Sequence, residues 1–163
     1  MNFKRLLSVT ALLMLLSFPS FASMVSFLVV ETGLGEEIAG TQYPSLWEGA
    51  LMSAFFDAGH IVTNCPVARM EKKPDIDITG TIKAGFIEAI EGGVDYFILG
   101  FLEHRILGGI AVPVNITIKL YKTDSQELIF EQSFPIDNDK SLSEEYQFAQ
   151  NVGWILISNI KDN

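Results

Sequence analysis

The sequence predicts a single α+β domain in which helices pack on a mixed sheet, with elements in the order β-α-β-α-β-β-β-α. The 163 residues are 48% hydrophobic and include 12 phenylalanines, which is enough apolar surface for one domain-sized core. Strand-like segments alternate with segments whose apolar residues recur at helical spacing. The last three strand-like segments are joined by short turns, which predicts an antiparallel three-stranded meander.

The first half of the domain begins with a strand and a helix. Residues 25–30, Val-Ser-Phe-Leu-Val-Val, are nearly all β-branched or aromatic, which is typical of a strand covered on both faces. A glycine-rich connection over 32–41 leads to Pro44, whose missing N–H needs no partner in the first turn of a helix. Apolar residues then recur every three or four positions over 45–58. Gly59 is predicted to end the helix in a left-handed conformation.

The middle of the chain is less regular. Residues 60–67 predict a second strand, and Pro66 restricts this strand to an edge or ends it. Residues 75–78 alternate like a short strand, whereas the apolar positions that follow have helical spacing as far as a Gly-Gly pair. We therefore expect a helix over about residues 81–91.

The meander gives the clearest pattern. Residues 94–105 predict its first strand, and Gly108-Gly109 predict a turn. Apolar and other residues then alternate strictly over 110–120, which predicts a strand with one buried face. A turn at 123–125 leads to a third strand over 127–134. The chain then enters a final helix, whose apolar positions run from Tyr146 to Ile160 and whose start is marked by the capping box Ser141-Leu142-Ser143-Glu144.

The amino-terminal residues predict export. Lys4 and Arg5 precede the mostly apolar residues 6–18, and Ser20-Phe21-Ala22 fits a small-x-small cleavage site. We expect residues 1–22 to be a signal peptide and residues 23–163 to be the mature domain, periplasmic or secreted. A retained anchor is the alternative, but the run is shorter than the ~20 residues that span a bilayer, and no later segment can span one.

Charge and cysteine content exclude other classes. Lys and Arg number 11 against 20 Asp and Glu, for a formal charge of −9, so no basic surface for nucleic acid is expected. Loss of Lys4 and Arg5 with the signal peptide would make the mature protein two units more negative. The single Cys65 cannot form an internal disulfide, and we expect a small buried apolar residue rather than a reactive thiol at that position.

No catalytic, cofactor or metal site is predicted. Gly33-Leu34-Gly35 follows a strand, but Ile38 stands where a dinucleotide-binding loop has its third glycine. His60 and His104 share no compact ligand motif with each other or with Cys65. No Gly-x-Ser-x-Gly is present, and the acidic pairs are expected to be solvated in so acidic a chain.

Three local patterns resemble one group of bacterial envelope domains. They are residues 51–62 (LMSAFFDAGHIV), 95–100 (DYFILG) and 120–128 (LYKTDSQEL). The group comprises the amino-terminal domain of the Tol-system translocation protein, the curli-secretion lipoprotein and the lipoprotein activators of penicillin-binding proteins. We expect this protein to be without their lipid-attachment cysteine and without a carboxy-terminal propeller or pore-forming segment, so outer-membrane anchoring and a secretion pore are not expected. The resemblance implies a non-enzymatic envelope module that binds another protein, with no catalytic residues to carry over.

The leading functional hypothesis is therefore an exported, non-enzymatic module that binds an envelope protein and takes part in envelope assembly, without a cofactor. Two alternatives stay open. One is a small secreted hydrolase whose Asp, His and Ser meet only in the folded chain. The other is a carrier of a small ligand, which would need a closed apolar cavity.

The predicted sheet order locates the surface for a partner strand. If the strand over 110–120 is central in the meander, the sheet edges are 127–134 and 60–67. A proline and basic residues blunt the second edge, so pairing with a partner, or with a second copy in a homodimer, is expected at the first edge, marked by Ile129, Glu131 and Ser133. The alternative is that Ile129 and its neighbour Phe130 complete the core of a monomer.

Overall fold

A computed structural model describes residues 22–34, 41–65 and 78–160 of the chain. Residues 1–21 of the predicted signal peptide, residues 35–40, which include Gly35 and Ile38, and residues 66–77, which include Pro66, lie outside the described residues. In chain order the elements are β1 (Met24–Thr32), α1 (Tyr43–Asp57), β2 (Ile61–Asn64), α2 (Ile78–Glu91), β3 (Tyr96–Leu107), β4 (Ile110–Lys122), β5 (Glu127–Pro135) and α3 (Leu142–Ile157). The predicted α+β class and element order are confirmed.

The five strands form one mixed sheet in the order β2-β1-β3-β4-β5. β1 lies parallel to both β2 and β3, whereas β3, β4 and β5 form the predicted antiparallel meander. β4 is therefore central in the meander, and β2 and β5 are the two edges, as the sequence predicted.

Helices cover the two faces of the sheet unequally. α1 and α3 bury one face in the main core, whose largest fully buried side chains include Trp47, Phe27 and Phe55. α2 packs on β1 and β3 at the opposite face, where Leu28, Phe97 and Leu99 form a smaller core. Because both faces of β1 are covered, Val25 to Val30 form the continuous buried run that the composition predicted.

Short-range signals define the ends of the elements. Pro44 lies in the first turn of α1, and Gly59 follows the helix with a φ of +89° that a side chain would strain. At α3, Ser141 Oγ accepts from the Glu144 backbone N–H, and the Glu144 carboxylate accepts from the Ser141 N–H. These Ser141 hydrogen bonds hold the pKa of Glu144 below its ordinary value.

Several predicted boundaries need correction. α2 begins at Ile78 and therefore includes a residue that the sequence placed in a short alternating strand over 75–78. β2 ends at Asn64 instead of continuing to 67. β3 runs over Tyr96–Leu107, two residues later at each end than predicted, because Val94 and Asp95 belong to the turn after α2 and because the pairing with β4 continues to Leu107.

A β-bulge also corrects the single buried face predicted for residues 110–120. Glu103 pairs with Asn115 but His104 pairs with Pro113, so Val114 is an extra residue in β4. The extra residue shifts the alternation by one position. Ile116, Ile118 and Leu120 are buried as predicted, but nearer the turn it is Pro113 that is buried, while Ile110 is exposed.

In the described part of the chain, no helix has the length and apolar character needed to cross a membrane.

Candidate functional site

β5 is an edge strand along its whole length. It pairs with β4 from Lys122↔Glu127 to Asn115↔Pro135, and no described strand lies on its other side. An edge of this kind presents backbone N–H and C=O groups that another strand can bind.

The hydrogen bond at the end of the ladder fixes the direction. The Ile136 N–H donates to the Val114 carbonyl at 3.1 Å, so the backbone of Ile136 faces β4. In an antiparallel strand, the N–H and C=O groups of successive residues point alternately to one side and to the other. The backbone groups of Phe134 therefore also face β4, and the Pro135 backbone faces away. By the same alternation Glu131 and Ser133 direct both N–H and C=O away from the sheet. Pro135, which has no N–H, stands at an outward position where the ladder loses no donor.

The side chains of Glu131 and Ser133 lie on the face of the sheet that α2 covers only in part. Glu131 Oε1 is 3.1 Å from Lys119 Nζ, and Ser133 Oγ is 2.8 Å from Thr117 Oγ1. Lys119 Nζ is in turn 5.7 Å from the centre of the Phe101 ring. These cross-strand pairs join side chains of β4 and β5 on one face and do not involve the outward backbone groups.

Ile129 occupies a second bulge. Leu120 pairs with Phe130 and Tyr121 with Leu128, which leaves Ile129 without a partner on β4. Its side chain is 38% exposed, whereas Phe130 is half-buried and packs against the main core. Phe130 therefore completes the core, and Ile129 contributes an exposed apolar side chain beside the outward backbone groups.

The opposite edge is shorter and is partly covered. β2 has only four residues, and Cys65 directly after it is fully buried, with Sγ 3.2 Å from Ser26 Oγ. The expected small buried residue is thus confirmed. β2 pairs with β1 only as far as Phe27. Further along β1, the Val29 N–H donates to Glu48 Oε1 at 2.8 Å, so a side chain from α1 covers the β1 backbone at Val29.

The two histidines lie apart from this edge. His104 is buried with Nε2 3.6 Å from Glu31 Oε1, but neither ring nitrogen has a hydrogen-bond partner among the described residues. The Glu31 carboxylate instead accepts hydrogen bonds from the N–H and the hydroxyl of Thr41. The His60 ring packs 5.4 Å from that of Phe55, and its Nδ1 has no described partner. Within the described ranges, neither histidine joins a serine hydroxyl to a carboxylate.

Among the described residues, no three His, Cys, Asp or Glu side chains come together as a group that could hold a metal ion. Near the edge, burial raises the pKa of the Tyr121 hydroxyl above its ordinary value, an effect that neighbouring Lys119 opposes and Glu131 reinforces.

The sequence marks this edge by Ile129, Glu131 and Ser133, and their roles follow from the folded strands. Outward direction depends on the register with β4, and the bulge at Ile129 leaves no local sequence signal. Pro135 is a further signal of an edge in the sequence, because a proline within a strand is confined to edges and bulges.

Solved structures share this fold. The PelC dodecamer from Paraburkholderia phytofirmans aligns with a TM-score of 0.51 and 12% identity, over 87% of this chain and 90% of that chain. The LpoB C-terminal domain from Salmonella enterica aligns at 0.48 with 15% identity, over 76% of this chain and 90% of that one. TolB from Acinetobacter baumannii aligns at 0.46 with 12% identity, over 88% of this chain but only 30% of that one.

No protein-family model and no curated protein matches the sequence. The likeness to known proteins is one of fold.

Proposed function

We propose that this chain is an exported, non-enzymatic module of the cell envelope that binds a protein partner, in envelope assembly, by adding an extended segment of that partner to β5. The observation that carries the proposal is the outward direction of the Glu131 and Ser133 backbones on an edge that no described strand covers. Strand addition uses such groups for affinity and the alternate side chains for specificity.

The surroundings of the edge define what the partner strand would meet. On one side of the sheet, its side chains would lie beside the Glu131–Lys119 ion pair and the hydroxyl pair of Ser133 and Thr117. At the bulged end, Ile129 and Leu128 offer exposed apolar surface. We therefore expect a partner segment with polar or hydroxyl side chains on one face and an aliphatic residue at the end that meets Ile129.

The exported and non-enzymatic parts of the proposal rest on observations other than the β5 edge. Export rests on the predicted signal peptide, and the non-enzymatic role on the surroundings of His60 and His104, which do not form the Ser-His-acid arrangement in the described part. PelC is described as a dodecamer. For this chain, pairing of β5 with a second copy is the homodimeric form of the same proposal.

Glu131→Pro tests the proposal. Because the Glu131 N–H points away from β4, proline removes an outward donor while leaving the ladder with β4 in place. Glu131→Ala is the matched control, since it keeps the donor and removes only the half-exposed ion pair with Lys119, whose contribution to stability is small. Envelope proteins captured by cross-linking, and the sedimentation of the purified chain, would be compared for the wild type and both variants.

We expect the Pro variant to lose the captured protein, or the dimer, and the Ala variant to retain it. Circular dichroism and urea unfolding would establish that both variants are folded. If a folded Pro variant captures and sediments as the wild type does, β5 is not the binding edge.

A further inference from the structure

The β3–β4 hairpin extends beyond the rest of the sheet. β1 pairs with β3 only as far as Glu103, and β5 pairs with β4 only as far as Asn115. Residues 105–112 therefore form a two-stranded ribbon with no described strand on either side. Its end carries three strongly exposed aliphatic side chains: Ile106 at 44%, Leu107 at 59% and Ile110 at 68%.

Beyond Arg105, the end of the ribbon is apolar on both of its faces. Paired residues in an antiparallel ladder share a face, so Leu107 and Ile110 lie on one face and Ile106 and Ala111 on the other. Gly108 and Gly109 form the turn with positive φ and add no side chain at the tip. No charged residue occurs between Arg105 and Lys119. A lipid boundary surrounds an inserted tip on every side, so it can cover apolar side chains on both faces at once.

We propose that the tip of this hairpin, residues 106–110, inserts into the boundary between lipid headgroups and acyl chains. Arg105 is exposed at the base of the tip. At a rise of about 3.3 Å per residue, the tip reaches about 10 Å beyond Arg105, which matches the roughly 5–10 Å depth of interfacial apolar groups. Arg105 would then lie at the level of the headgroups, where a cation is solvated.

Backbone chemistry limits the insertion to this shallow depth. A two-stranded ribbon leaves backbone N–H and C=O groups along both outer edges, and such groups are not tolerated in the hydrocarbon core. The hairpin therefore contacts the bilayer without crossing it. This contact is independent of partner binding at β5, which lies beyond the base of the ribbon.

The net charge of the chain favours a bilayer without net charge over an anionic one. The chain carries a formal charge of −9, so an anionic bilayer repels it, and the aliphatic side chains alone provide the attraction. Vesicles of phosphatidylcholine should bind the protein more tightly than vesicles in which part of that lipid is replaced by phosphatidylglycerol. Added salt should reduce the difference by screening the repulsion.

Vesicle flotation with phosphatidylcholine tests the proposal. The full chain would be produced from residue 1, and the wild type and all variants would be purified in the same way. Any contribution of the amino-terminal residues to vesicle binding is then the same in every sample. We expect Leu107→Ser/Ile110→Ser to lower the vesicle-bound fraction at least about tenfold, since two exposed aliphatic side chains are lost. Ile61→Ser, at a strand position that is 52% exposed, is the matched control and should bind as the wild type does.

A labelled variant gives an independent reading of depth. Cys65 is fully buried and is the only cysteine, so a polarity-sensitive dye on Ile110→Cys would be selective. We expect its emission to shift to the blue with phosphatidylcholine vesicles and to be quenched by brominated acyl chains, and the same dye on Ile61→Cys to be unaffected. Three results would overturn the proposal. The double Ser variant could bind vesicles as the wild type does, or the wild type could bind neither kind of vesicle. The double Ser variant could also change only the sedimentation of the protein and not its binding to vesicles.

Discussion

Glu145 lies almost fully buried in the first turn of α3, where Oε1 accepts a hydrogen bond from Trp47 Nε1 at 2.9 Å. Burial raises the pKa of this carboxyl, while the Trp47 hydrogen bond and Lys140 act in the opposite direction. A carboxyl with a raised pKa favours its neutral form in the folded state. The protonation state of the Glu145 carboxyl, which accepts the N–H of the buried Trp47 indole, therefore affects the free energy of unfolding.

The linkage predicts how stability changes with pH. The folded chain holds the Glu145 proton at pH values where the unfolded chain has lost it, so this group's stabilising contribution is complete below its unfolded pKa of about 4.3 and is lost as pH rises through the folded pKa. Glu145→Gln keeps an acceptor for Trp47 and does not titrate. Urea unfolding over a pH series should show the variant gaining stability relative to the wild type as pH rises through this window. A constant difference at every pH would contradict the assignment.

At the scale of elements, α1 and α3 pack closely on the main core. Tyr146 Oη donates to the Gly49 carbonyl at 3.3 Å, and Gln150 Nε2 donates to Ser53 Oγ at 3.1 Å. Gly153 permits the closest approach, because a Cβ there would lie 2.7 Å from Ala54 Cβ. A glycine inside a helix is unfavourable by itself, so its position in α3 reflects the packing.

Two glycine substitutions test this packing. Gly153→Ala should lower the free energy of unfolding by about 1 kcal/mol or more, because overpacking exceeds the gain in helix propensity. Gly49→Ala is the control on the facing helix. There a Cβ would be 4.0 Å from the Tyr146 ring, so we expect no loss and a gain of up to about 1 kcal/mol. Thermal or urea unfolding measures both, and equal effects would show that the helices do not constrain Gly153.

At the scale of the whole molecule, the sheet is protected unequally. β1 and the first half of β3 are buried between helices on both faces, whereas β5 is exposed along most of its length and β2 has four half-buried or exposed residues. Strands with few buried contacts open locally at lower free energy than central strands. The candidate binding edge therefore belongs to the more easily opened part of the fold.

Hydrogen exchange should reproduce this order. We expect amides of β1 and of residues 96–102 to exchange most slowly, and the outward Glu131 and Ser133 amides to exchange faster than those of Phe130 and Phe134, which face β4. Residue-resolved exchange measured by NMR checks the order. Slow exchange at Glu131 and Ser133 in the isolated protein would mean that the edge is already covered, by a second copy or by another part of the chain.

Local signals in the sequence are sufficient to predict several of the elements. Pro44 and Gly59 mark the ends of α1, Ser141 and Glu144 cap α3, and the Gly108-Gly109 pair forms the turn between β3 and β4. Each of these signals acts through backbone conformation or through hydrogen bonds within a few residues, so no knowledge of distant contacts is needed. The meander and its edges followed from the same signals, because short turns join neighbouring strands.

Features that depend on register, or on packing between distant segments, are set only when the chain folds. The extra residue Val114 shifted the alternation of β4, and the pairing of β5 with β4 set the outward direction of Glu131 and Ser133. The projection of Ile110 beyond the sheet depends on where the neighbouring strands end, and the burial of Glu145 depends on Trp47, nearly a hundred positions earlier. A shift of one residue in the pairing of two strands moves every side chain to the other face of the sheet. The groups that can contact a partner are therefore set only when the strands have paired.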